Sequence, residues 1–131
     1  MILILGALVF TNSCKAQKNS ELPEKFFQRW KLDYGTANGK KIEGLPQSPN
    51  NDYEFKQNGE YLLYNEDNSF IIGTWEYNTD EKVIYTKRKD GEINGKITDL
   101  QSEHITLIPA GKASEGTRFK NFRFHYIPKT N

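Results

Sequence analysis

The sequence predicts an all-β domain: an eight-stranded antiparallel up-and-down barrel, preceded by a short N-terminal helical turn. Three observations carry that expectation. Eight segments from residue 29 onward have β-type patterning, most links between them are short and rich in turn residues, and no helical period or internal repeat competes. Short links make consecutive strands pair antiparallel. Eight strands can close on themselves, which removes exposed sheet edges and leaves an interior sized for packed side chains or one small ligand.

The helical turn is expected at Leu22-Pro23-Glu24-Lys25-Phe26-Phe27-Gln28, where Pro23 suits a first helical position and Glu24 favours the positive end of the helix dipole. Strands are then expected at 29–35, 51–56, 60–65, 69–77, 82–88, 93–99, 104–109 and 117–127. Gln57-Asn58-Gly59, Asn78-Thr79-Asp80-Glu81, Asp90-Gly91 and Gln101-Ser102 separate successive strands. Asn-Gly and Asp-Gly supply the positive φ that tight hairpins require. The first connection, residues 36–50, is the exception in length. Loops this long often serve as lids or stay disordered. Gly39, Gly44, Pro46 and Pro49 oppose regular structure there, while Ile42 and Leu45 give it something to pack with.

Composition narrows the partners. With 131 residues the chain suits one domain, and 13% aromatic residues argue against a disordered one. A formal charge of +1 gives no positive field for neutralising phosphates, so nucleic acid is not an expected partner. Lys87-Arg88-Lys89 is short, closes on Asp90-Gly91, and reads as a solvated hairpin end.

The single cysteine excludes an internal disulfide framework. Its position is informative. Residues 1–10 are nearly all apolar, and the run ends at Thr11-Asn12-Ser13-Cys14. That is short of the roughly 20 apolar residues a spanning helix needs, but it fits the apolar region of a secretory signal. The segment resembles the lipobox of bacterial lipoproteins, with small Ser13 before the cysteine, although Thr11 stands where Leu is common and no Lys or Arg opens the run. The resemblance implies a signal peptide over 1–13, lipidation of Cys14, a polar tether over 14–21 and a domain over 22–131. The alternative is a buried N-terminal strand with an ordinary core cysteine. Acyl chains contribute about 0.8 kcal/mol per buried CH₂, so two or three of them hold a small domain on a membrane. Lys15, rather than Asp, follows the cysteine, which favours the outer membrane of the cell envelope.

Residues 22–127 also resemble the small bacterial lipocalin-like lipoprotein domains. The shared features are a helical turn leading into Trp30, a large first loop, the run from Phe55 through Gly59-Glu60 to Tyr61, and Gly73-Thr74-Trp75-Glu76-Tyr77. Gln28 stands where the family has glycine two residues before the tryptophan. The resemblance implies that Trp30 closes the barrel base, with Arg123 or Lys129 laid over it, and that a small apolar ligand sits inside. Tyr34, Phe55, Tyr61, Trp75, Tyr85, Phe122, Phe124 and Tyr126 are the residues expected to line such a site. Phe122, Phe124 and Tyr126 share one face of the last strand by alternation. These rings can equally fill the barrel, which would make the domain a non-catalytic interaction or structural module. A cavity of roughly 300 Å³ or more under loop 36–50 separates the two expectations.

Nothing points to catalysis. His104 and His125 lie on separate late strands without metal-ligand spacing, and no nucleophile-elbow, zincin or phosphate-loop pattern occurs. Asp99 reads as a turn residue. Glu54, Glu60, Glu76 and Asp99 are strand-borne carboxylates of undefined separation. Neither enzyme activity, cofactor nor metal is expected.

Overall fold

A computed structural model describes residues 22–45, 51–101, 103–111 and 121–130. The expected signal segment, Cys14 and the expected tether lie outside these residues, as do 46–50 of the first connection and the start of the expected last strand.

After a 3-10 turn at Glu24–Phe26, nine strands follow: β1 (Arg29–Ala37), β2 (Lys40–Lys41), β3 (Tyr53–Phe55), β4 (Glu60–Tyr64), β5 (Phe70–Asn78), β6 (Val83–Lys87), β7 (Ile93–Gln101), β8 (His104–Pro109) and β9 (Phe122–Pro128). Every neighbour pair is antiparallel, and β1 pairs with β9 from Trp30↔Pro128 to Ala37↔Phe122. The sheet therefore closes into an eight-stranded barrel of consecutive strands, with β2 as an extra two-residue flap on β1. Closure gives the chain an inside and an outside.

The flap was not expected from sequence. Asn38 and Gly39 both take positive φ, 53° and 82°, which turns the chain tightly enough for Lys40 and Lys41 to pair back onto Ala37 and Thr36. The amide of Ile42 then donates to the carbonyl of Gly35, and Leu45 tucks against Gly35 and Phe124. Pro23 also differs from expectation. It precedes the turn with ψ 139°, and its carbonyl accepts the amide of Phe26.

The barrel is filled from one end. Phe26 stacks on Phe55 with 4.6 Å between centroids and meets Trp75 edge-on at 5.9 Å. Trp30 is fully buried, and its indole N–H donates to the carbonyl of Phe26 at 3.0 Å. The indole N–H of Trp75 donates to the carbonyl of Lys56 at 2.9 Å. Burying side chains of this size contributes about 1.5–3 kcal/mol each, and both indole donors are satisfied, so the 3-10 turn plugs the base. Above this layer lie Tyr53, Tyr61 and Tyr126, with Tyr53 5.5 Å from each of the other two rings. Ile84, Ile97 and Ile105 complete the wall of the core.

A charged lock secures the plugged end from outside. The Asp52 side chain is fully buried; Arg29 approaches it at 3.1 Å and Lys129 at 3.4 Å. Lys129 also donates its amide to the carbonyl of Arg29, which ties the end of the chain to β1. Arg29 further sits 3.7 Å above the ring of Tyr64.

This geometry corrects one expectation about the base. Arg123 pairs opposite Thr36, at the far end of β9 from Pro128, the partner of Trp30. Antiparallel register and an outward, exposed position keep it away from the indole. Phe26 covers Trp30 instead, with 6.5 Å between ring centroids.

Candidate functional site

Alternation along the strands assigns each sequence-predicted residue to a face. Phe55, Tyr61, Trp75 and Tyr126 point inward and are buried. Phe124 and Phe122 also lie on the inner face, their rings stacked at 6.0 Å, with Phe124 packed against the core.

Two of the expected lining residues lie outside the barrel. In β1 the register shifts between Leu32 and Tyr34, so Asp33 is an extra residue and the pleat reverses. Tyr34 consequently stacks on His125 at 4.4 Å, on the outer surface. Tyr85 alternates with the buried Ile84 and Thr86, so it faces out; its hydroxyl donates to the carboxylate of Glu81. Tyr85 borders a shallow polar groove with Glu76, Asn78 and Asp80, a surface feature separate from the interior.

The end opposite the plug is different in character. A half-open cleft of about 510 Å³ lies there, lined by Tyr61, Leu63, Ile71 and Asn94, with Phe70, Ile72, Arg88 and Lys89 around it. That volume falls within the usual range for small-molecule sites, about 300–1,000 Å³. The cleft lies beneath the β4–β5 and β6–β7 hairpins, and no described residue of the connection at 36–50 lines it. The described part of that connection is occupied elsewhere, with Leu45 packed against Gly35 and Phe124.

A hydrogen-bonded chain forms the floor. Thr86 Oγ1 donates to Asn94 Oδ1 at 2.6 Å, and Asn94 Nδ2 donates to the Tyr61 hydroxyl at 3.2 Å. Asn94 reaches inward because the β6–β7 register shifts at Thr86/Lys87, leaving it as the extra residue between Ile93 and Gly95. Gly73 opposite Tyr61 provides the space: an added β-carbon would fall 2.2 Å from Tyr61 Cζ. The floor is therefore polar and internally hydrogen-bonded, and the walls are apolar.

The walls are also exposed. Phe70, Ile71 and Ile72 are 48%, 55% and 45% accessible; Ile71 shares the inner face with Leu63 and Gly73 and lines the cleft, while Phe70, packed against Tyr64, and Ile72 lie on the outer face at its rim. Single exposed apolar residues are ordinary, whereas a contiguous group beside a concave cleft marks a binding surface.

The strand carboxylates do not converge. Glu54 accepts the Tyr64 hydroxyl, Glu76 meets Lys87 at 3.3 Å, Glu60 bonds Asn58, and Asp99 accepts Thr106 at 2.8 Å. The two histidines do meet, which their separation in sequence concealed. His104 Nε2 lies 3.0 Å from His125 Nδ1, in near-parallel rings on the outer surface. Burial, followed by the proximity of His104, lowers the pKa of His125, while Asp99 and Asp33 act in the opposite sense. Burial also raises the phenol pKa values of Tyr53 and Tyr126. Among the described residues no group of three or more His, Cys, Asp or Glu side chains is arranged to hold a metal ion.

Comparison with protein-family models, with curated proteins and with solved structures returns no match.

Proposed function

We propose that this chain is a lipid-anchored protein of the bacterial cell envelope that binds a small apolar ligand at the open end of a lipocalin-like barrel. The observation that carries the ligand reading is the cleft of about 510 Å³ over Tyr61, Leu63, Ile71 and Asn94. It combines apolar walls with a few polar groups at the floor, the general composition of a small-molecule site. The ligand occupies the mouth rather than the depth of the barrel, because the base is filled by Phe26, Trp30, Phe55 and Trp75. The anchor reading rests on the apolar run that ends at Ser13-Cys14. The plug of the barrel directly follows the tether in sequence, so an acylated Cys14 leaves the mouth at the end away from the attachment.

Native mass spectrometry of the full chain carrying Cys14→Ser, mixed with a panel of hydrophobic small molecules, tests the ligand reading. A retained one-to-one complex supports it, and no retained species across the panel removes it. For the anchor, Cys14→Ala is expected to abolish fatty-acid labelling and membrane retention; unchanged labelling contradicts it.

A second reading draws on the same exposed run. If Phe70, Ile71 and Ile72 form a contact surface for another protein, the barrel is a filled scaffold and needs no ligand. The mass-spectrometric result separates the two.

A further inference from the structure

The mouth carries a charge pattern that the apolar walls do not explain. Arg88 and Lys89, which in sequence look like a solvated hairpin end, border the same cleft as Leu63 and Ile71. Their charges are unequal in effect. Arg88 is matched by Asp90 at 2.8 Å, and the Asp90 carboxyl is held below its ordinary pKa by the Glu92 amide and by Arg88 itself. Lys89, by contrast, makes no ion pair among the described residues, leaving one uncompensated cation beside an apolar wall.

Resting on the ligand reading above, we propose that the cleft takes a single-chain amphiphile with an anionic head: its chain lies along Leu63 and Ile71, and its head lies at Lys89. The floor argues for this orientation. Thr86, Asn94 and Tyr61 are already hydrogen-bonded to one another and no cation stands among them, so the floor offers no countercharge to an anionic head. Pushing an anion down against them would strip its water without a cation in return, a costly arrangement. At the rim the head keeps its hydration and gains Lys89. The chain covers apolar wall that is otherwise open to water.

The experiment is calorimetric titration of the full chain carrying Cys14→Ser with dodecanoate, dodecanol and dodecyltrimethylammonium, each below its micellar concentration. Dodecanoate is expected to bind tightest. Lys89 is exposed, so Lys89→Glu leaves the fold intact, as far-UV circular dichroism checks. That variant is expected to weaken dodecanoate about tenfold and to leave dodecanol unchanged. Adding salt to the parent chain is expected to shrink the preference for the anion, because rim charges are screened. Equal binding of dodecanoate and dodecanol, with Lys89→Glu silent, overturns the head-group assignment while the cleft reading stands. Failure of all three to bind overturns both.

Discussion

The ring of Tyr61 lies flat over Gly73, so close that a β-carbon there would overlap it at 2.2 Å. The two residues face each other across β4 and β5. Asn94 holds the ring by its hydroxyl, so the ring cannot swing aside freely. This contact sets the floor of the cleft and the ceiling of the packed core. We expect Gly73→Ala to destabilise the domain by about 1–3 kcal/mol, the usual cost of overpacking. In a Tyr61→Leu background the same substitution should cost much less. Urea unfolding of the four members of this double-mutant cycle measures the coupling.

The lock at Asp52 carries a second prediction. Its carboxylate is wholly buried, while Arg29 and Lys129 keep 21% and 29% of their side-chain surface exposed. Removing the carboxylate leaves two cations that can still reach water, which moderates the penalty for breaking a buried pair. Asp52→Ala should therefore destabilise by about 2–3 kcal/mol, read from the shift in urea midpoint at constant slope. Because Lys129 loses its partner, the end of β9 should also fray, seen as faster amide exchange at Lys129.

The histidine pair predicts a pH dependence with a definite sign. The 3.0 Å contact needs one ring nitrogen to donate and the other to accept, so double protonation breaks it. The folded pKa of His125 lies below its ordinary value, owing first to burial. The unfolded chain then binds the proton more readily. Stability from this group is complete above the unfolded pKa of about 6.5 and is lost as pH falls through the folded pKa. We expect the unfolding free energy to decline from about pH 7 to about pH 5, and His125→Gln to flatten that decline. The lowered carboxyls of Asp67 and Asp90 act in the same direction at lower pH, near and below about pH 4. An unchanged slope in the variant contradicts the assignment to His125.

The exposed apolar run separates binding from stability. Ile71 is more than half accessible, so it contributes little to the core. Ile71→Thr should change stability by less than about 0.5 kcal/mol, as surface substitutions usually do. Dodecanoate affinity, measured by the same calorimetry, should nonetheless fall severalfold. Loss of stability without loss of affinity would place Ile71 in the core instead.

How much of this was legible before the fold was known depends on the kind of signal. Asn58-Gly59 and Asp90-Gly91 announce their hairpins, because only a few residues accept the positive φ observed at Gly59 and Gly91, 92° and 90°. With short links the barrel order follows. Faces were readable where alternation is regular, as in Phe122, Phe124 and Tyr126. They were misread at Tyr34, where the single extra residue Asp33 inverts the pleat, and no composition signal marks such a bulge. Tyr85 was misplaced for a simpler reason, since an aromatic ring suits either face of a strand. Long-range register was not readable at all. It alone brings Lys129 to Asp52, His125 to His104, and Arg88 and Lys89 to the mouth beside Ile71.

The most direct measurement is a methyl-resolved NMR titration of the full chain carrying Cys14→Ser with dodecanoate. Saturable shifts at Leu63 and Ile71, with Ile84, Ile97 and Ile105 in the core unmoved, are the expected result. Shifts confined to those core isoleucines, or no saturable shift at the mouth, would contradict an account in which the barrel is closed by aromatic packing below and open to ligand above.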